Sequence, residues 1–141
     1  MVKLGMMTLN GRGAQQKGMF ANIIYEFTKW RDAKGINVLI FQEHNLSPGK
    51  EDELQRLATS KHIKLVIAFA PDNGSGQHPG GVLMLLDEKT LQYEDTLHRE
   101  DGFVMARAEW GGEKIEIAGE GALLKIIEER TDVSKYVRSS R

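Results

Sequence analysis

Ile36-Asn37-Val38-Leu39-Ile40-Phe41-Gln42-Glu43-His44 decides how this chain is read. Its centre is a nearly continuous apolar run, the pattern of a strand covered on both faces, and it closes on three polar residues. Upstream, Met6-Met7-Thr8-Leu9-Asn10-Gly11-Arg12-Gly13 has the same plan, a short apolar run ending in an amide and a glycine turn. Between the two, Phe20, Ile23, Ile24, Phe27 and Trp30 recur at helical spacing and form one stripe to pack on a sheet. Gly35 stands where a helix C-cap is expected. A strand-helix-strand unit of this kind brings Asn10 and Glu43 to the carboxyl ends of neighbouring strands, the edge where open α/β sheets collect ligands. An amide and a carboxylate meeting there offer oxygen donors suited to a hard divalent metal and a phosphate.

Working outward, Ser47-Pro48 supplies a cap and first-turn proline for a helix at 50–61, with Leu54 and Leu57 facing inward. Residues 63–70 read as a third strand and 81–86 as a fourth. The turn-rich loop from Pro71 to Gly80 joins them, and it reads as a plain connection, a DNA contact or a cover for the edge. A polar link leads to strands at 103–110 and 113–118, joined by Gly111-Gly112, a strong hairpin signal. Residues 121–137 carry Leu123, Leu124, Ile127, Val133 and Tyr136, interrupted at Thr131-Asp132, and predict a terminal helix with a break. No repeat, low-complexity stretch or long linker divides the chain, so a single domain over residues 1–141 is expected.

A chain of 141 residues, 40% hydrophobic, is long enough to build one core. The net charge of -1 gives no global attraction for nucleic acid, so any such contact must come from local clusters. Arg12 and Lys17 form a weak one beside the first motif. Lys135, Arg138 and Arg141 form another in the tail, where a solubility role is the plainer reading. The absence of cysteine excludes thiolate zinc sites, disulfides and thiol catalysis. The first residues lack the plan of a signal peptide, and no apolar run approaches a bilayer span. A soluble intracellular protein without a membrane partner is the expectation. Gly13-Ala14-Gln15-Gln16-Lys17-Gly18 has the glycine spacing of a P-loop, but Met19-Phe20 stand where Lys and Ser or Thr are required. His62, His78 and His98 have no partners at metal-ligand spacing.

Taken together, Asn10-Gly11-Arg12-Gly13, Gln42-Glu43 and the later Gly80-Gly81-Val82-Leu83-Met84-Leu85 resemble the first half of the endonuclease/exonuclease/phosphatase superfamily of magnesium-dependent phosphodiesterases. The resemblance covers residues 4–118. Arg12 and the Gln42-Glu43-His44 form are similar to endonuclease domains of non-LTR retroelements. It implies that Glu43 ligates magnesium and that Asn10 contacts the metal-phosphate centre, so the two are the candidate catalytic and metal-binding residues. Arg12, Lys17 and His44 are weaker candidates for contacts to nucleic acid, with His44 also readable as a residue supporting the metal ligands from behind or, more plainly, as an ordinary surface histidine. It further implies an α/β fold, a mixed β-sheet with helices on one face, amounting to half of a four-layer α/β sandwich.

Members of the superfamily continue into a Tyr-x-Pro-like motif, an Asp-x-Asn pair and a Ser-Asp-His that activates water. Here the matching strand runs into Gly119-Glu120-Gly121-Ala122, and no histidine follows His98. Hydrolysis near neutral pH needs both a metal and a base. The expectation is therefore a truncated nuclease-like domain, catalytically incomplete alone and holding magnesium weakly. A non-enzymatic binding or assembly module reusing the half-fold is the alternative, and half of a split nuclease is a third reading. Half a sandwich also predicts one bare apolar sheet face, with Leu39, Phe41, Leu65, Ile67, Val82 and Met84 as candidates for that face or its opposite, since alternation does not fix which. A homodimer or a complementing chain would cover such a face.

Overall fold

The computed structural model of the chain describes residues 3–10, 13–14, 17–100, 102–120, 123–128 and 134–140. The order is β1 (Lys3–Asn10), α1 (Met19–Lys34), β2 (Ile36–Gln42), a 3₁₀ turn at Pro48–Lys50, α2 (Glu51–Thr59), β3 (Ile63–Ala68) and β4 (Val82–Asp87). Four more strands follow, β5 (Leu91–Glu100), β6 (Phe103–Trp110), β7 (Glu113–Glu120) and β8 (Leu123–Glu128), and then β9 (Ser134–Ser140). The expected α/β class with a mixed sheet is what forms. One sheet runs β3-β4-β2-β1-β9, and a second runs β5-β6-β7-β8.

The first sheet owes its mixed character to β4, which lies antiparallel between β2 and β3, while β1 pairs in parallel with both β2 and β9. Each inner strand alternates its side chains between two apolar cores. On one face Met7, Leu39, Phe41, Leu65, Ile67 and Leu83 pack under α1 and α2, against Phe20, Ile24, Phe27, Leu54 and Ala58. On the other face Met6, Val38, Ile40, Val82, Met84 and Leu86 meet Val104, Ala106, Ala108, Trp110, Ile115 and Ile117 of the second sheet. The result is three layers, helices over a mixed sheet over an antiparallel sheet.

That arrangement corrects the expected bare face. The chain's own β5–β7 sheet covers it, which removes the packing reason for a homodimer or complementing chain. Of the six residues whose face alternation left open, Leu39, Phe41, Leu65 and Ile67 lie on the helix side and Val82 and Met84 on the sheet side. Among the described residues, Tyr25 on α1 is the exposed large hydrophobic side chain. The layers approach closely because a glycine allows it. A Cβ on Gly119 would stand 2.8 Å from Ile40 Cδ1.

Two further expectations are corrected. Residues 91–100, read as a polar link, form the edge strand β5. Its alternation is broken by register shifts at Tyr93/Asp95 and Thr96/His98, which hide a strand from periodicity. The helix expected over 121–137 is instead β8 and β9, which pair with β7 and β1. Ile126, Ile127, Tyr136 and Val137 are strong strand formers, and the unpaired backbone groups of β1 and β7 gain partners only if these segments extend.

The amino ends of β1 and β2 are pinned by a polar network. The buried Asn37 accepts the Gly5 N–H at 2.9 Å and donates to Thr90 Oγ1 at 2.8 Å. Thr90 Oγ1 in turn donates to the buried Asp87 at 2.9 Å, and Arg31 of α1 reaches the same carboxylate at 3.5 Å. These bonds fix one edge of the first sheet, and the loops at its opposite edge carry the candidate site.

Candidate functional site at the carboxyl edge of the mixed sheet

Asn10 ends β1 and stands in register with Gln42, the last residue of β2, so Glu43 follows directly beside it. The strand-helix-strand geometry thus brings the two candidate ligands to one edge. Asn10 is half-buried, and the Glu43 side chain is exposed. Lys17 is also exposed, in the turn before α1, while Arg12 lies outside the described residues.

Glu43 adopts φ 57 and Asn45 φ 56, both in the left-handed region. Asparagine tolerates that conformation, whereas a glutamate there is held against its own preference. What holds it is the Gly80-Gly81 segment ahead of β4. The Glu43 N–H donates to the Gly81 carbonyl at 2.8 Å, and the Asn45 N–H donates to the Gly80 carbonyl at 2.9 Å. Asn45 returns the contact, its Oδ1 accepting the Gly80 N–H at 2.7 Å.

His44 completes the lock and overturns its reading as a surface or nucleic-acid-contacting residue. Its side chain is 0% exposed. Nε2 lies 2.9 Å from the Ala68 carbonyl, which can only accept, so Nε2 carries the proton. Nδ1 accepts the Leu46 N–H at 2.9 Å, so the ring is neutral. Burial pushes its pKa down from 6.5 to about 4, partly opposed by the bond to Ala68. The ring lies against Gly81, where a Cβ would fall 2.4 Å from Nε2, and it meets Phe69 edge-on at 5.7 Å. The His44 carbonyl accepts the Ala14 N–H at 2.7 Å, which ties the segment after β1 to the same point. The bare face of Gly81 (φ 88) is the sequence signal for this buried ring. A Gly-Gly pair opening a strand leaves space that another side chain fills.

One exposed carboxylate and one amide oxygen fit a hard cation such as magnesium that keeps most of its water. They do not make a closed cage. Among the described residues, no three His, Cys, Asp or Glu side chains group as a metal cluster. No helix among them is long and apolar enough to cross a membrane.

The chain matches no protein-family model and no curated protein. Solved structures do resemble it. An endonuclease/exonuclease/phosphatase family protein from Leptotrichia buccalis matches with TM-score 0.51 and 16% identity, over 82% of this chain and 52% of that one. A humanized D. rerio TDP2 carrying 14 mutations matches with TM-score 0.47 and 14% identity, over 92% of this chain and 52% of that one. D. rerio TDP2 complexed with a single-strand DNA product matches with TM-score 0.45 and 15% identity, over 92% and 48%. The chain therefore spans about half the length of the solved structures it matches. At this identity the likeness speaks to architecture, and the chain carries the endonuclease/exonuclease/phosphatase-like fold.

Proposed function

We propose that this chain is a metal-dependent phosphodiesterase-like domain directed at nucleic acid, with Glu43 and Asn10 as its oxygen ligands for magnesium. The observation that carries the reading is the Glu43 carboxylate, exposed and held left-handed beside Asn10 at the carboxyl edge of a sheet with this fold. A magnesium ion bound there supplies neutralisation of charge developing on a phosphate. Glu43 contributes the fixed negative charge that selects a cation. Asn10 contributes an amide at the same edge, a group whose oxygen suits a hard cation. Exposed Lys17 is a cation that would draw in a polyanionic strand, and Arg12 precedes it by five residues in the sequence.

Two protein oxygens leave most of the coordination sphere to water, so the site is weak. His44 is neutral and bonded through both nitrogens, so it takes no proton from an attacking water. We therefore infer that these residues alone turn over slowly, and that the chain is the metal-holding part of the catalytic arrangement. The test is magnesium binding by calorimetry together with nicking of supercoiled DNA, each repeated on Glu43→Ala. Weak binding that vanishes in the variant is the expected result. Metal affinity unchanged by Glu43→Ala would overturn the assignment, and DNA binding without nicking would support the non-enzymatic alternative.

A further inference from the structure

Beside the Glu43 segment, the same edge holds a recess of about 330 Å³ lined by Asn45, Ser47, Gly76, Gln77, His78 and Pro79. That is within the size range of small-ligand sites, and its polar side chains are two amides, a hydroxyl and an imidazole, with no Lys or Arg. Bonds already made orient Asn45 and His78. The half-buried His78 donates from Nδ1 to the Ala70 carbonyl at 2.7 Å, which leaves Nε2 for a ligand. Asn45 spends Oδ1 on the Gly80 N–H, which leaves its amide hydrogens for a ligand.

The loop that forms one wall is organised in advance. Asp72 Oδ1 accepts the N–H groups of Gly74 and Gly76 at 2.7 and 3.0 Å. Asn73 Oδ1 accepts those of Ser75 and Gln77 at 3.0 and 3.3 Å, and the Asn73 N–H donates to the Gln77 carbonyl at 2.8 Å. A wall fixed this way costs little ordering when something binds. Past Pro79 the surface continues as a shelf of Ala70, Pro71, Gly80, Gly81 and Gly102.

A phosphate is the wrong occupant, because phosphate recognition relies on Arg, Lys and clustered N–H donors. No cationic side chain lines the recess, and the loop carries Asp72. Amide, hydroxyl and imidazole groups without Lys or Arg match a nucleobase, whose edges offer hydrogen-bond donors and acceptors. We propose that this recess binds a base of a single-stranded nucleic acid whose backbone passes the Glu43 edge. The proposal rests on the reading of that edge given above.

The test compares oligothymidylate with an abasic strand of equal length, titrated into the ¹⁵N-labelled full chain with EDTA present. Expected are shifts at the amides of Asn45, Gln77 and His78 with oligothymidylate only. Affinity for it is expected to fall several-fold in His78→Ala and in Gln77→Ala, the second being an exposed-loop change that leaves folding intact. Equal shifts with the abasic strand, or none with either, would overturn the proposal. Because no metal is present, this outcome is independent of the magnesium titration of Glu43→Ala, and the two readings fail separately.

Discussion

Acidification from about pH 7.5 to about pH 4 probes the buried His44 directly. In the unfolded chain the ring takes a proton below its ordinary value of 6.5, whereas in the fold it resists until about 4. The unfolded state therefore binds more protons throughout that window, and stability falls as the pH is lowered through it. Above 6.5 both states are neutral and nothing is lost, and below about 4 both are charged and the loss is complete. At about 1.4 kcal/mol for each unit of difference, the effect is on the order of 3 kcal/mol. That is a large part of the 5–15 kcal/mol typical of a domain. Protonation also removes the acceptor that the Leu46 N–H uses, so the loss has a structural site. Urea unfolding at a series of pH values, run in parallel on the wild type and His44→Asn, isolates the term, since the carboxylates contribute equally to both. The His44 ring signal in an NMR titration gives its pKa independently. A ring that titrates near 6.5, or identical pH slopes in the two proteins, would refute the buried neutral assignment.

Gly81→Ala should destabilise by about 3 kcal/mol, combining an over-packed contact with a strained φ of 88. In a His44→Ala background the same change should cost measurably less by urea unfolding, and equal costs would count against the ring contact. Glu43→Gly relieves a left-handed residue and should raise stability by about 1 kcal/mol while abolishing magnesium binding. A melting temperature that falls would show that φ 57 carries no strain there. Asn37→Ala leaves the Gly5 N–H without its acceptor and should cost about 1–3 kcal/mol, read from the unfolding midpoint.

The parts of the fold legible in the sequence are those whose pattern has one physical solution. The stripe of Phe20, Ile23, Ile24 and Phe27 needs a helix, and the run at 36–42 needs cover on both faces, which it has. Gly111 and Gly112 take φ 59 and 81, the conformation a two-residue hairpin turn requires. What stayed hidden depended on partners distant in the chain. β5 is recognisable only through its pairing with β6, because its bulges scramble the alternation. Leu123–Glu128 and Ser134–Ser140 extend because β7 and β1 offer edges, something no local window records. The juxtaposition of Asn10 and Glu43 followed from strand order alone. The burial of His44 did not, since it depends on a loop nearly forty residues later bringing a glycine beneath the ring.

The position of β4 also has a kinetic meaning. β2 and β3 are consecutive strands, yet they never touch as neighbours, because β4 is wedged between them. The ribosome releases both flanks before the strand that joins them, so during synthesis each presents an unzipped margin to the solvent. The topology permits assembly by docking of two units, β1-α1-β2 on one side and the β3-β4 ladder on the other, along the seam from Val38 paired with Leu86 to Gln42 paired with Val82. On that route, closing the seam would commit the chain to its topology, and a slow or faulty closure would leave two sticky half-sheets available to other copies.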